Sequence, residues 1–494
     1  MSVPLPSAPG PRPVPGLGAR ANLIAYARDP IGTAGRIFAR YGNVASLVRS
    51  PINIVNPGPG WAKGTLGTAT GAGVVLATGA EVNREVLTAH DRFSTIALTG
   101  RLYPVAEPTE RERPVRRMMT GLFHVNGDEH RRHRRLLMPA FHKTRIDAYR
   151  DDMAAITEST LARYRVGETR DVHADMTELT LRVATKTLFG EDQGERGVRL
   201  ARLMQQSLLT MFSPVLMVLR KDWPGTPYRR FLDVVRRIDS ETVAILRDKR
   251  ARPPGNDMLS TLLAARDEDG SALDEDELVG HAEVIFAAGH ETSTNALAWT
   301  LLLLSQHPEV LRDVEDELDG ALRGSPPSVD DLGKLPLLDG VVKESMRVLP
   351  PVPIHPRIVA EDTEVGGHRM PAGSEVWLSI FHMHHEDAVF PEPRRFLPRR
   401  WETAKPTVYE YNPFSAGPRM CIGASFATME IKIVLATMLQ RFRFEVPEGA
   451  RVHPRVAITM APRGGLPMTV RRRDQGLRAP GGVRGKVREL VALP

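Results

Sequence analysis

Phe414-Ser415-Ala416-Gly417-Pro418-Arg419-Met420-Cys421-Ile422-Gly423 is the stretch on which the reading of this chain turns, and it holds the only cysteine. A helical pattern, Ala424 to Gln440, follows directly, so Cys421 is expected at or just before a helix N-terminus. There, unsatisfied N–H groups and the positive end of the dipole stabilise a thiolate. Gly417 and Gly423 remove side chains on either side, which lets a flat, bulky ligand approach the backbone. Arg419 offers a cation suited to a carboxylate on that ligand, and Phe414 can screen the sulfur from water. An isolated cysteine near a turn is usually buried and inert. Phe-x-x-Gly-x-Arg-x-Cys-x-Gly is too constrained for that reading and asks for a thiolate–metal bond to a planar cofactor.

Working outward, a single cysteine excludes an intramolecular disulfide, a Cys-pair zinc site and a four-Cys iron–sulfur cluster. The 494 residues, 42% hydrophobic, support a large core and suggest two or three domains by length alone. No stretch approaches the roughly 20 apolar residues of a membrane span; the best, Ala296 to Leu304, is short and carries Trp299 and Thr300. No basic region followed by an apolar run marks a secretory signal, and a cytoplasmic protein without integral membrane contact is expected. The formal charge of +7 is uneven. Arg111 to Arg145 holds ten basic and three acidic residues, and Arg471 to Pro494 seven and two, on a mildly acidic body. No nucleic-acid motif accompanies the patches, so no nucleic-acid partner is expected.

Helical spacing runs through Asp147–Tyr164, Met176–Phe189, Arg229–Arg250 and Val310–Leu322. The longest pattern, Asp274 to Leu304, opens on Asp274 with Glu277 three residues on, a capping box. Strand signals are few: Val74–Leu76, Glu364–Val365, Glu375–Ile380 and Val456–Met460. The expected organisation is mainly α, one large domain over 17–472 with a smaller β-rich lobe. It lies between a Pro-rich lead-in, 1–16, and a basic C-terminal tail, 473–494, expected to be disordered.

The cysteine segment resembles the haem-binding signature of the cytochrome P-450 superfamily, in which the thiolate is the axial iron ligand. Ala288-Gly289-His290-Glu291-Thr292-Ser293 resembles that family's oxygen-activation pattern, 129 residues before the cysteine. Glu344-Ser345-Met346-Arg347 is similar to its Glu-x-x-Arg motif, and Phe390-Pro391-Glu392-Pro393-Arg394-Arg395-Phe396 resembles its Pro-Glu-Arg-Phe segment.

The resemblance implies a haem-thiolate monooxygenase carrying haem b on Cys421. It inserts one atom of O2 into a lipophilic substrate of fatty acyl, terpenoid or polyketide class, by hydroxylation or epoxidation. Thr292 and Glu291 are implied as catalytic, moving protons. Ala288 and Gly289 leave room against the haem face. His130, Arg134, Arg357 and Arg419 are implied as the clamp on its propionates, and Glu344, Arg347 and Arg395 as a buried network behind it. Arg394 stands where the family commonly has an acid. No flavin- or nicotinamide-binding fingerprint follows a strand, so electrons are expected from a separate ferredoxin- or flavodoxin-type donor with its reductase. Arg131, Arg132 and Arg135 are expected to face that acidic donor. His382, His384, His385 and Glu386 are not read as a metal site, because three histidines in four residues cannot face one way. By family analogy the pocket is lined by 94–123, 204–223, 287–292, 352–354 and the hairpin near Met460. The competing readings are a thiolate-haem sensor without turnover and a basic surface-binding protein.

Overall fold

The computed structural model describes residues 5–12, 14, 18, 20–49, 73–95, 108–190, 194–211, 221–476 and 479–494. Its organising element is the central helix Glu275–Gln306, 32 residues long and therefore about 48 Å from end to end. The expected capping box starts it: Asp274 Oδ1 accepts from the Glu277 N–H at 2.8 Å, and Glu277 Oε2 from the Asp274 N–H at 2.9 Å. Its second half, Ser293 to Leu304, is buried without a break around Trp299. Helices Val172–Phe189, Arg113–Met118, Pro336–Val348 and Ala424–Leu439 pack around it. Ala424–Leu439 is apolar on nearly every side, as a helix enclosed by others must be. Pro308–Leu322 follows the central helix after His307, where Pro308 can only begin a helix.

The β-lobe is a five-stranded sheet in the order Val44–Val48, Val74–Ala77, Glu375–Ser379, Ile354–Val359, Phe93–Ser94. Only the Val74–Ala77/Glu375–Ser379 pair is parallel. A three-stranded sheet joins Thr169–Asp171, Pro467–Arg472 and Phe442–Glu445. The strand expected over Val456–Met460 is two: Pro454–Val456 turns back onto Met460–Pro462, with Val456 opposite Met460. Three intervening residues are too few to continue one strand, and they form the tip of a hairpin.

The two termini both pack onto the domain. In the lead-in, Ala8 is fully buried, and the Ser46 N–H donates to Pro9 O at 2.7 Å, so this segment lies along the edge strand Val44–Val48. The tail, expected to be disordered, is folded over its described residues 479–494. It forms the short helix Val487–Leu490, and Val483, Val487, Val491 and Leu493 are buried. The Arg484 N–H donates to Ala450 O and the Val452 N–H to Arg484 O, both at 2.8 Å. The apolar residues recur every four positions amid Arg, Gly and Pro, enough for one helical stripe but too brief to stand out by composition. Ending the chain at Gly481 is therefore expected to lower stability by on the order of 3 kcal/mol, the burial of three valines and a leucine at about 1.5–3 kcal/mol each being largely offset by the entropy of ordering the segment. Denaturant unfolding checks this; an unchanged midpoint would return the tail to the category of an appendage.

Candidate active site

The Cys421 loop is set by backbone conformation. Ser415 and Gly417 have φ of 60° and 69°, in the left-handed region. A Cβ on Gly417 would collide with the Leu87 carbonyl oxygen. Glycine here is thus required by its own φ and by packing on helix Ala80–Thr88 rather than by room for a ligand. Gly423, the N-cap of Ala424–Leu439, differs: its missing Cβ would stand 4.0 Å from Cys421 Sγ, so it clears space beside the sulfur. The Cys421 N–H donates to Phe414 O at 2.8 Å, closing the loop, and Phe414 is partly buried against the main core. Cys421 is solvent-accessible, yet burial pushes its thiol up, opposed by the Gly423 N–H and the Arg134 charge. A side chain on the wall of an internal chamber has both properties.

Four cationic or basic groups converge beside this loop. Arg134 Nη1 donates to Met420 O at 2.8 Å. Arg419 donates to Leu122 O, Val125 O and Asn126 Oδ1 at 3.2, 2.6 and 2.6 Å. Arg357 is buried and donates to Pro356 O at 2.9 Å. Burial brings Arg357 down to about 10, and burial together with the charges of Arg357 and Arg134 does the same to Arg419. Buried His130 is held at about 3 by desolvation, then by Arg419 and Arg134. Among the described residues none of the three arginines has a carboxylate within ion-pair distance. Three desolvated guanidinium groups without counter-charge are costly alone and fit a ligand bearing carboxylates. With a thiol at the same loop, the donor set fits haem.

The central helix is open in its middle. It is buried at both flanks, but Val284, Ile285, Ala287, Ala288, Gly289, Glu291 and Thr292 are only half-buried, and a Cβ on Gly289 would meet open space. Thr292 Oγ1 donates to Ala288 O at 2.8 Å, the ordinary back-bond of a helical hydroxyl, leaving its lone pairs open. Glu291 Oε1 accepts from Thr459 Oγ1 at 2.8 Å, a contact no local pattern could announce across 168 residues. Of the other expected lining segments, 96–107 and 212–220 lie outside the described residues.

Behind the loop, Glu344 and Arg347 are both fully buried and paired bidentately at 2.9 and 2.8 Å. Arg347 also donates to His384 O, Pro393 O and Arg395 O at 2.9, 2.7 and 3.0 Å, so all five of its N–H groups are satisfied. Arg395 is corrected here. Its exposed side chain turns outward to Glu392, and only its carbonyl joins the network. Arg400 takes the expected place, with Nε 2.9 Å from Glu344 Oε1, beside Trp401 Nε1 at 3.0 Å from Oε2. Pro393-Arg394-Arg395-Phe396 is followed by Pro398-Arg399-Arg400-Trp401; the two are nearly the same tetrapeptide, and only the fold selects the second. His384 Nε2 accepts the Asn412 N–H at 3.1 Å, which ties the network to the chain leading into the cysteine loop.

The basic window does not present a bare cationic face. Arg132 pairs with Glu277 and Arg135 with Asp267, at 2.8 and 3.0 Å, and Arg131 pairs with Asp128. Two of these arginines are answered by acids from distant segments and Arg131 by an acid of its own helix. Sequence reading also passed over Glu430. It is buried in helix Ala424–Leu439 and accepts from Ser293 Oγ at 2.6 Å. Burial raises it from 4.5 to about 8, the serine hydrogen bond partly opposing. The folded protein therefore holds this proton where the unfolded chain has released it. Its contribution to stability is full below pH 4.5 and is lost as pH rises through about 8. Glu430→Gln is expected to flatten stability between those limits in denaturant titrations, and an unchanged slope would contradict this.

The family model for Cytochrome P450 matches residues 74–465. Putative cytochrome P450 139 of Mycobacterium tuberculosis is 31% identical over 76% of this chain and 87% of that protein. Pentalenene oxygenase of Streptomyces avermitilis is 33% identical over 66% of this chain and 74% of its own length. Cyclooctat-9-en-7-ol 5-monooxygenase of Streptomyces melanosporofaciens is likewise 33% identical, over 65% and 72%. Among solved structures, retinoic acid-bound cyanobacterial CYP120A1 superposes with a TM-score of 0.77 at 24% identity, covering 96% of this chain and all of that one. No helix among the described residues is long and apolar enough to cross a membrane. A thiol loop, a guanidinium cluster without carboxylate partners among the described residues and an opened central helix are compatible with that family, and the match over residues 74–465 decides it: the chain belongs to the cytochrome P450 family and is a haem-thiolate monooxygenase.

Proposed function

We propose that this monooxygenase oxidises a terpenoid-type hydrocarbon, carries haem b, and works in the cytoplasm with a ferredoxin- or flavodoxin-type donor and its reductase. The observation that carries the substrate reading is the half-open face of the central helix. Val284, Ile285, Ala287, Ala288 and Gly289 make it apolar, with polar groups only at its Glu291–Thr292 end. An apolar wall favours a ligand without charge and excludes water from the reacting centre. The names of the two Streptomyces relatives, a pentalenene oxygenase and a cyclooctat-9-en-7-ol monooxygenase, support the same reading.

Haem held by Cys421 supplies dioxygen activation when bound. Arg134, Arg357 and Arg419 hold its acidic groups, with His130 beside them. Gly423 and Gly289 leave room at the sulfur and on the helix side. Thr292 and Glu291 hold and pass protons toward the chamber. Glu344, Arg347 and Arg400 fix the loop that presents Cys421.

The test is a spectral titration of the purified haem protein with cyclic sesquiterpene and diterpene hydrocarbons beside fatty acids of similar length. A spin-state shift with the terpenes at lower concentration is expected. A shift only with the fatty acids would overturn the terpenoid reading.

A further inference from the structure

Thr459 sits at the tip of the hairpin Pro454–Val456/Met460–Pro462. It is buried, 7% exposed, and its hydroxyl donates to Glu291 Oε1 at 2.8 Å. The next residue is pinned on both sides: the Met460 N–H donates to Pro351 O, and Met460 O accepts from Trp299 Nε1, both at 2.8 Å. Glu291 and Trp299 lie eight residues apart on the same helix, so the hairpin grips that helix at two points about two turns apart. On the other side the Ala457 N–H donates to Thr459 O at 3.0 Å and closes the tip. The hydroxyl therefore comes from a held turn. Among the described residues, Thr459 is the one side chain hydrogen-bonded to the Glu291 carboxylate, through Oε1 only. Among the described residues its other oxygen, Oε2, accepts no hydrogen bond.

We propose that Thr459 is a positioning residue. It tethers one carboxylate oxygen of Glu291 so that Oε2 faces the proton path shared with Thr292. This rests on the proton role proposed above for Glu291 and Thr292. A carboxylate on a free side chain samples several rotamers, and one anchored oxygen fixes both its rotamer and the plane of the group. The hairpin, 168 residues away in sequence, would then determine how protons reach the chamber although it touches no reacting atom.

The consequence can be read without knowing the substrate. In substrate-free turnover with a ferredoxin, its reductase and NADPH, two electrons and two protons convert O2 to hydrogen peroxide. Four of each convert it to two waters. Mistimed proton delivery changes the partition between them. Thr459→Val keeps the outline of the side chain and removes the donor. The ratio of peroxide to water is expected to change by about fivefold, the scale of one lost hydrogen bond. Thr459→Ser is expected to restore the wild-type ratio, and the crystal structure of the resting Thr459→Val holoenzyme to show Glu291 in a different rotamer. Thr459→Ala repeats the test if valine lowers the unfolding midpoint. An unchanged partition and an unmoved Glu291, or a serine variant that behaves as valine, would overturn the proposal. A wild-type haem protein without the thiolate spectrum would instead overturn the reading of the site on which it rests.

Discussion

Arg347→Ala is expected to remove most of the recoverable haem-loaded protein. The guanidinium is fully buried and donates five hydrogen bonds, two to Glu344 and three to the carbonyls of His384, Pro393 and Arg395. Truncation leaves those three carbonyls without a donor inside the protein. It also leaves Glu344 buried, facing only Arg400, Trp401 and the Leu397 N–H. Breaking a buried pair from one side costs about 3–5 kcal/mol, against a total stability of about 5–15 kcal/mol for a folded domain. Arg347→Lys should rescue little, because an ammonium cannot span the carboxylate and three carbonyls. Arg395→Ala is the control: its side chain is exposed and, among the described residues, paired only with Glu392, so a change within about 0.5 kcal/mol is expected. Denaturant midpoints and haem content of the three variants check the assignment. A severe Arg395 variant beside a mild Arg347 variant would reverse it.

Cys421→Ser is the second large effect, and it differs in kind. The fold should survive, because the Cys421 N–H to Phe414 hydrogen bond is backbone and the side chain lies accessible in the chamber. What disappears is the thiolate. A serine hydroxyl stays protonated at neutral pH and does not donate charge to iron as sulfur does. Monooxygenation is expected to fall at least about a hundredfold, since changes even outside the direct ligands of a metal cost 10- to 100-fold. Circular dichroism and the unfolding midpoint should stay near wild type. A serine variant that retained activity would remove Cys421 from the chemistry.

What could be read in the sequence was whatever is local. The central helix carried its own start in Asp274 and Glu277, and the cysteine loop carried Gly417, Arg419 and Cys421 within five residues. Glu344 and Arg347 share a face because they are three apart. What escaped was decided by tertiary pairing. Two near-identical Pro-Arg-Arg-aromatic tetrapeptides compete for one buried carboxylate, and the backbone path after Phe396 delivers Arg400. Arg132 and Arg135, expected to face an electron donor, are paired with Glu277 and Asp267 from elsewhere in the chain. The tail hid a four-residue apolar repeat within a basic composition. Gly417, expected to clear space for a ligand, is instead required by its own φ and by the nearby Leu87 carbonyl.

The measurement that bears most directly on the account is the spectrum of the purified wild-type protein, dithionite-reduced and bound to carbon monoxide. A Soret band at the long-wavelength position of a thiolate ligand, lost in Cys421→Ser, is the predicted result. A band at the ordinary histidine-haem position, or no haem band at all, would contradict it.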